Sequence, residues 1–159
     1  MEKTNVCRIL DQKKIKYEFY EYPHTDGVCV DGIEVAMLLD EDPNMVFKTL
    51  VTVSPSKHYY VCVVPVAHEL DLKKCAKEFN EKSLEMIPVK ELLNVTGYIR
   101  GGCSPIGMKK PYKTVMDITA KDYDNVIFSA GKIGYQVKMN PNDLSKLINI
   151  KFADIKKGN

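Results

Sequence analysis

Tryptophan is absent from this 159-residue chain, histidine occurs three times, and charge of neither sign dominates: 23 Lys and Arg stand against 21 Asp and Glu, a formal charge of +2. So small a charge excludes a protein that holds nucleic acid by bulk electrostatics alone, though not one that touches a short terminal piece of it. No apolar run approaches the length of a membrane span. The start, Met1-Glu2-Lys3-Thr4-Asn5, lacks the apolar core of a secretory signal. The five cysteines, Cys7, Cys29, Cys62, Cys75 and Cys103, are odd in number, form no Cys-x-x-Cys pair and mostly sit inside apolar patterns. That usage reads as reduced thiols and a cytosolic setting. His24, His58 and His68 offer no ligand spacing for a metal, so no metal and no cofactor are expected. Neither a G-x-S-x-G elbow nor a phosphate-binding G-x-x-x-x-G-K-[ST] loop occurs.

Glycine, by contrast, is present and unevenly placed. Four glycines and a proline lie within the twelve residues from Thr96 to Gly107. A shorter loop, Ser129-Ala130-Gly131-Lys132-Ile133-Gly134, repeats the composition. Glycine allows positive φ and leaves backbone N–H groups open to close approach, so such loops serve either as turns or as cradles for an anion or a carbonyl.

Length and composition, 45% hydrophobic and 28% charged, fit one domain over residues 1–159 with a core of its own. Thr4 caps a first helix carrying Val6, Cys7, Ile9 and Leu10. Residues 15–22 alternate like a half-buried strand that Pro23 ends. Asp31-Gly32 opens a short helix to Leu39. Residues 45–53 and 58–66 read as a hairpin, with the second strand apolar on both faces and therefore central. Asp71 caps a helix through Phe79, residues 84–87 make a short strand, and Pro88 opens a short helix. Strands follow at 113–118, 125–130 and 135–139. Asn140-Pro141 starts a last helix with Leu144, Leu147 and Ile148, and the tail 156–159 looks loose. The sum is an α+β fold of mixed, mostly antiparallel strands. About six or seven of them are expected to curl into a barrel with helices packed outside.

Within this frame a few residues carry candidate chemistry. Lys48 shares a strand face with Val46 and Leu50, either as an edge lysine that guards against aggregation or as a cation aimed into a cleft. Gly101 and Gly102 can present N–H donors to a carbonyl oxygen, or simply turn the chain. The Ser129 hydroxyl either bonds a ligand or starts a turn. Cys103 has no histidine near it in sequence and reads poorly as a nucleophile. Lys109, Lys110, Lys113, Lys132 and Lys138 would form a modest basic rim if space brings them together, and otherwise a solvated surface.

Five segments, in order and spacing, resemble the YbaK/EbsC family of aminoacyl-tRNA deacylases, which is related to the editing insertion of prolyl-tRNA synthetase. They are Val46-Phe47-Lys48-Thr49-Leu50, Pro65-Val66 with Leu70 to Lys74, Thr96 to Lys110, Ser129 to Gly134 and Lys151 to Ile155. The resemblance implies a cytoplasmic enzyme that removes cysteine mischarged on tRNA(Pro), acting on the aminoacyl-tRNA 3′ end and beside prolyl-tRNA synthetase. It implies that the substrate's own thiol attacks its ester carbonyl. By the same resemblance Lys48, Gly101 and Gly102 are the catalytic groups, and Tyr22, Thr49, Ser129 and Gln136 bind substrate. Two departures from the family pattern stand out: Gln136 where an acid is frequent, and Asp31 where an aromatic is. A water-based deacylase of alanyl-tRNA(Pro) or another small aminoacyl-tRNA, and a non-catalytic tRNA- or synthetase-binding module, are the competing readings.

Overall fold

In the computed structural model, which describes residues 3–158, the first three helices begin where the sequence supplies an oxygen to cap them. The Cys7 amide donates to the Thr4 hydroxyl at 3.3 Å to open α1 (Asn5–Gln12), whose Val6, Cys7 and Leu10 are fully buried. Asp31 caps α2 (Gly32–Leu38) and Asp71 caps α3 (Leu72–Glu78) in the same way. Each cap satisfies amides that have no partner inside the helix. A fourth helix, α4 (Leu92–Thr96), ends on Gly97 at φ +88°, a left-handed position suited to glycine.

Among the described residues eight strands build two sheets. β1 (Tyr17–Glu21), β6 (Val126–Ser129) and β7 (Tyr135–Met139) form an antiparallel sheet in the order β1-β7-β6. β2 (Phe47–Val53), β3 (Tyr59–Pro65), β4 (Glu85–Met86), β5 (Thr114–Asp117) and β8 (Ile150–Ala153) form the other, in the order β4-β2-β3-β5-β8. β2 and β3 are the expected hairpin, whereas β3–β5 and β5–β8 are parallel. β3 is central as its composition requires: Val61 and Val63 face the core between the sheets, and Cys62 and Val64 face Cys75 and Ala76 of α3.

The barrel expected from the strand pattern does not close; both sheets are open. They meet on one side at a single parallel bridge, Val46 to Ile127, where the Ile127 amide donates to the Met45 carbonyl at 2.9 Å. β1 and β8 end their sheets. Helix α1 packs one face on the strands: its Val6, Cys7 and Leu10 join the cluster that holds Phe47, Val61, Phe128 and Val137.

Two further expectations are corrected near the C-terminus. The last helix is a 3-10 segment, Pro141–Lys146, after which the chain re-enters the sheet as β8. Nor is the tail loose over its described part: Lys156 is buried and the Lys157 amide donates to the Glu69 carbonyl at 2.8 Å. The cause is Asp117, fully buried, whose carboxylate accepts from the Ile155 and Lys156 amides at 2.9 and 3.2 Å. Met1 and Glu2 of the leader reading, and Asn159 of the tail, lie outside the described residues. No helix among the described residues is long and apolar enough to cross a membrane.

Gly134 shows how tightly the smaller sheet is finished. It has φ +98°, and a Cβ there would stand 2.2 Å from the His24 ring. Gly134→Ala is therefore expected to destabilise the fold by about 2–4 kcal/mol, through a strained backbone and a displaced imidazole. Urea unfolding would register it as a lower midpoint at unchanged slope.

Candidate active site

A cavity of about 730 Å³ opens where the two sheets meet. Residues 46–51 of the β2 segment form its floor, Ser129 of β6 and Gln136 of β7 one wall, and Met86 and Ile87 of the β4 segment another. The loop 29–32 ahead of α2 and the stretch Arg100-Gly101 with Cys103 cover it. The latter stretch belongs to the long crossover from β3 to β5, which parallel strands require. Its volume falls within the roughly 300–1,000 Å³ usual for small-molecule sites.

The floor is an incomplete strand edge. The Val66 amide donates to the Val46 carbonyl at 2.8 Å, so by the alternation of an antiparallel ladder the even residues of β2 bond to β3. Odd residues face the opposite edge, as the Ile87 amide donating to Val51 carbonyl at 3.1 Å confirms. β4 pairs only with Thr52 and Val53, and the bridge to β6 lies at Val46. Between them Thr49 points its backbone N–H and C=O at the gap, with no strand alongside. Its hydroxyl is buried and, among the described residues, without a hydrogen-bond partner. Most buried polar atoms are satisfied, so this orphan stands out, although the hydroxyl itself is sealed from solvent. Lys48 beside it is half-buried, lines the cavity and has no carboxylate partner among the described residues.

The glycine loops prove to be packing devices first. Gly101 lines the cavity at φ +88°, where a Cβ would stand 3.0 Å from the Cys29 sulfur. Gly102 does not line it. The Gly102 amide donates to the Ile99 carbonyl at 2.9 Å, and a Cβ there would meet the Ile133 nitrogen at 3.1 Å. The Gly102 amide, expected as an oxyanion donor, is thus engaged in a turn, and its missing side chain lets the two loops touch. Ser129 starts the turn, since the Gly131 amide donates to its Oγ at 3.0 Å, and the residue also lines the cavity. Gln136 lies opposite Ser129 in register, 5% exposed. Tyr22 is fully buried behind the lining and packs edge-on to His24, with burial pushing its phenol up.

Cys103 lines the cavity, but burial pushes its thiol up to about 12, so it rests protonated. None of the three histidines lines the cavity. The basic rim is not assembled there either: Lys138 pairs with Glu41 at 3.2 Å, and Lys109, Lys110, Lys113 and Lys132 lie away from the cavity wall. Sequence reasoning missed Arg100, exposed at the mouth, although it directly precedes Gly101. It also missed Asp31 as a lining residue, treating the position as a departure and a helix cap.

The half-buried lysine and the uncovered edge of β2 thus come together at one cavity. The family model described as the aminoacyl-tRNA editing domain matches residues 29–147, and the chain belongs to that family. Among its relatives is an Enterococcus faecalis protein named "Putative Cys-tRNA(Pro)/Cys-tRNA(Cys) deacylase EbsC", 43% identical over 154 residues, which are 97% of this chain and 93% of that one. A proline–tRNA ligase of Kosmotoga olearia is 28% identical over 105 residues, 66% of this chain but 18% of the ligase. Two solved structures share the fold. One, described as a putative trans-editing enzyme for prolyl tRNA synthetase, has TM-score 0.81 at 22% identity over 99% of this chain and 100% of that one. The other, hypothetical protein APE2540, has TM-score 0.86 at 18% identity over 97% and 100%.

The orphan hydroxyl makes a stability prediction. Thr49→Val keeps shape and strand preference while removing an unsatisfied buried polar atom. It should raise stability by about 1 kcal/mol, read as a higher urea midpoint.

Proposed function

We propose that this chain is a trans-editing deacylase that removes cysteine from mischarged tRNA(Pro). Cys-tRNA(Cys) is a second substrate to be tried, and prolyl-tRNA synthetase is the partner that delivers mischarged tRNA. The observation that carries the reading is the half-buried Lys48, without a carboxylate partner among the described residues, beside the uncovered main chain of Thr49 at the open edge of β2. An ester carbonyl and a 3′-terminal ribose offer the acceptors and donors that this edge lacks. Family membership and the Enterococcus relative support the substrate class.

The chemistry follows from what the cavity holds. Cys103 rests as a neutral thiol and no histidine lines the wall, which supports a reaction whose nucleophile arrives with the substrate. The cysteinyl sulfur bonds to its own ester carbonyl carbon. The bond from that carbon to the ribose oxygen breaks, and the thiol proton ends on that oxygen. The products are uncharged tRNA and a cyclic thiolactone. Holding sulfur against carbonyl converts an unfavourable encounter into a local one with high effective concentration. Lys48 stabilises the carbonyl oxygen as charge develops, with the Gly101 amide as a second donor. Thr49, Ser129 and Gln136 hold the ribose and the aminoacyl group. Tyr22 acts from behind the wall, through the position of His24 and the loop that follows it.

Deacylation of tRNA(Pro) charged in parallel with Cys, Ser and Ala tests the assignment. Rapid loss of Cys with Ser and Ala spared is expected. Comparable loss of Ala or Ser would mean attack by water and a different substrate. Lys48→Ala should lower kcat/KM at least a hundredfold at unchanged unfolding midpoint, the size expected for losing a charged transition-state donor. Cys103→Ala should stay within about twofold of the parent.

A further inference from the structure

The cavity wall carries three charged side chains: Lys48, Arg100 and Asp31. The two cations suit the phosphate and carbonyl oxygens of an acylated nucleotide. Asp31 suits neither. An aminoacyl ester, however, brings a positive charge of its own, the α-ammonium, into a chamber already positive by one. That charge needs an anion within reach, and no other lining residue carries one. Gln136 on the opposite wall is neutral and offers an amide oxygen without charge.

We infer that Asp31 is the residue that receives the substrate's α-ammonium and so makes the site selective for a free, unblocked aminoacyl group. This rests on the deacylase reading above. The geometry leaves the carboxylate able to do it. One oxygen, Oδ2, accepts from the Ile33 amide at 3.2 Å as the cap of α2. Oδ1 makes no hydrogen bond to a described residue. The cap fixes the side chain in place, so a second bond from Oδ1 needs little further ordering. Gly32, next along, lies against Val66, where a Cβ would stand 2.5 Å from that side chain. The lip carrying Asp31 is thereby held down on the end of the β2–β3 hairpin, beside the same floor that presents Lys48.

The test compares Cys-tRNA(Pro) with N-acetyl-Cys-tRNA(Pro) for the parent protein and Asp31→Asn, at pH 7, below the ordinary α-amino range of about 7.7–8.0. Asparagine keeps an oxygen for the helix cap and is as good a capping residue, so an unchanged unfolding midpoint is expected. Asp31→Asn should lose about tenfold in kcat/KM on the free amino substrate and nothing on the acetylated one, which the parent already cleaves poorly. Equal losses on both substrates would make Asp31 a structural part of the lip and overturn the inference. No loss on either would do the same. A parent protein that releases neither acyl group would sink the deacylase reading and this inference with it. Activity in the parent with an indifferent Asp31→Asn would sink the inference alone.

Discussion

Backbone meets backbone where Gly102 lies on Lys132 and Ile133, and the candidate site depends on that contact. The cavity belongs to neither sheet alone. Lys48 and Thr49 come from the five-stranded sheet, Ser129 and Gln136 from the three-stranded one, and Arg100 and Gly101 from the crossover between β3 and β5. A Cβ at Gly102 would stand 3.1–3.3 Å from three atoms of the opposing main chain. That is tighter than a side chain accepts where the neighbour is backbone and cannot yield. Tyr98 locks the same junction from the other side: its hydroxyl donates to the Ile106 carbonyl and its ring lies against Gly131. The glycines of these two loops thus set the distance between two halves of a wall, and of them Gly101 keeps a face toward the chamber.

Much of the fold was legible because its signals are local. Thr4, Asp31 and Asp71 cap the helices expected of them, and the doubly apolar run at 59–65 is the central strand. What was not legible depends on long-range partners. Ile150–Ala153 has no clean alternation and becomes a strand because β5 is there to pair with it. Lys156 looks like a solvated tail until the buried Asp117 accepts from its amide. The barrel is not closed, and a helix capped by Thr4 does not announce in sequence that its Val6, Cys7 and Leu10 will join the core shared by the two sheets.

The site was legible to a similar depth. Lys48, Thr49, Gly101, Ser129 and Gln136 converge on one cavity, while Gly102 and Tyr22 stand behind its lining. A glycine pair in sequence does not reveal which amide is consumed by a turn; the Gly102 amide bonds to Ile99 and Gly101 is left. Arg100 and Asp31 were passed over for a shared reason. Both are exposed, and an exposed charge reads as solvated surface until a concavity forms beneath it. With both included, the chamber's charges form a set of two cations and one anion. That is the complement of an acylated nucleotide, which carries phosphate and carbonyl oxygens at one end and an ammonium at the other.

An open strand edge beside an apolar chamber is ordinarily a hazard, since unpaired N–H and C=O groups invite another strand. Here the opening is limited at both ends, by the β6 bridge at Val46 and by the Ile87 bond to Val51. The loop at 29–32 and the Arg100–Cys103 stretch roof what remains. A second strand cannot reach an edge so short and so covered, whereas a nucleoside with its ester can. Leaving the Thr49 hydroxyl unsatisfied costs about 1–3 kcal/mol, a sizeable part of the roughly 5–15 kcal/mol by which a domain is usually stable. A fold closed for stability alone would extend β4 by a residue pair and cover the gap. The interruption instead keeps one amide and one carbonyl of Thr49 facing the gap beside a lysine with no carboxylate partner among the described residues. Those groups are preorganised for a ligand before it arrives, because the strand that carries them is held on its other side by the full length of β3.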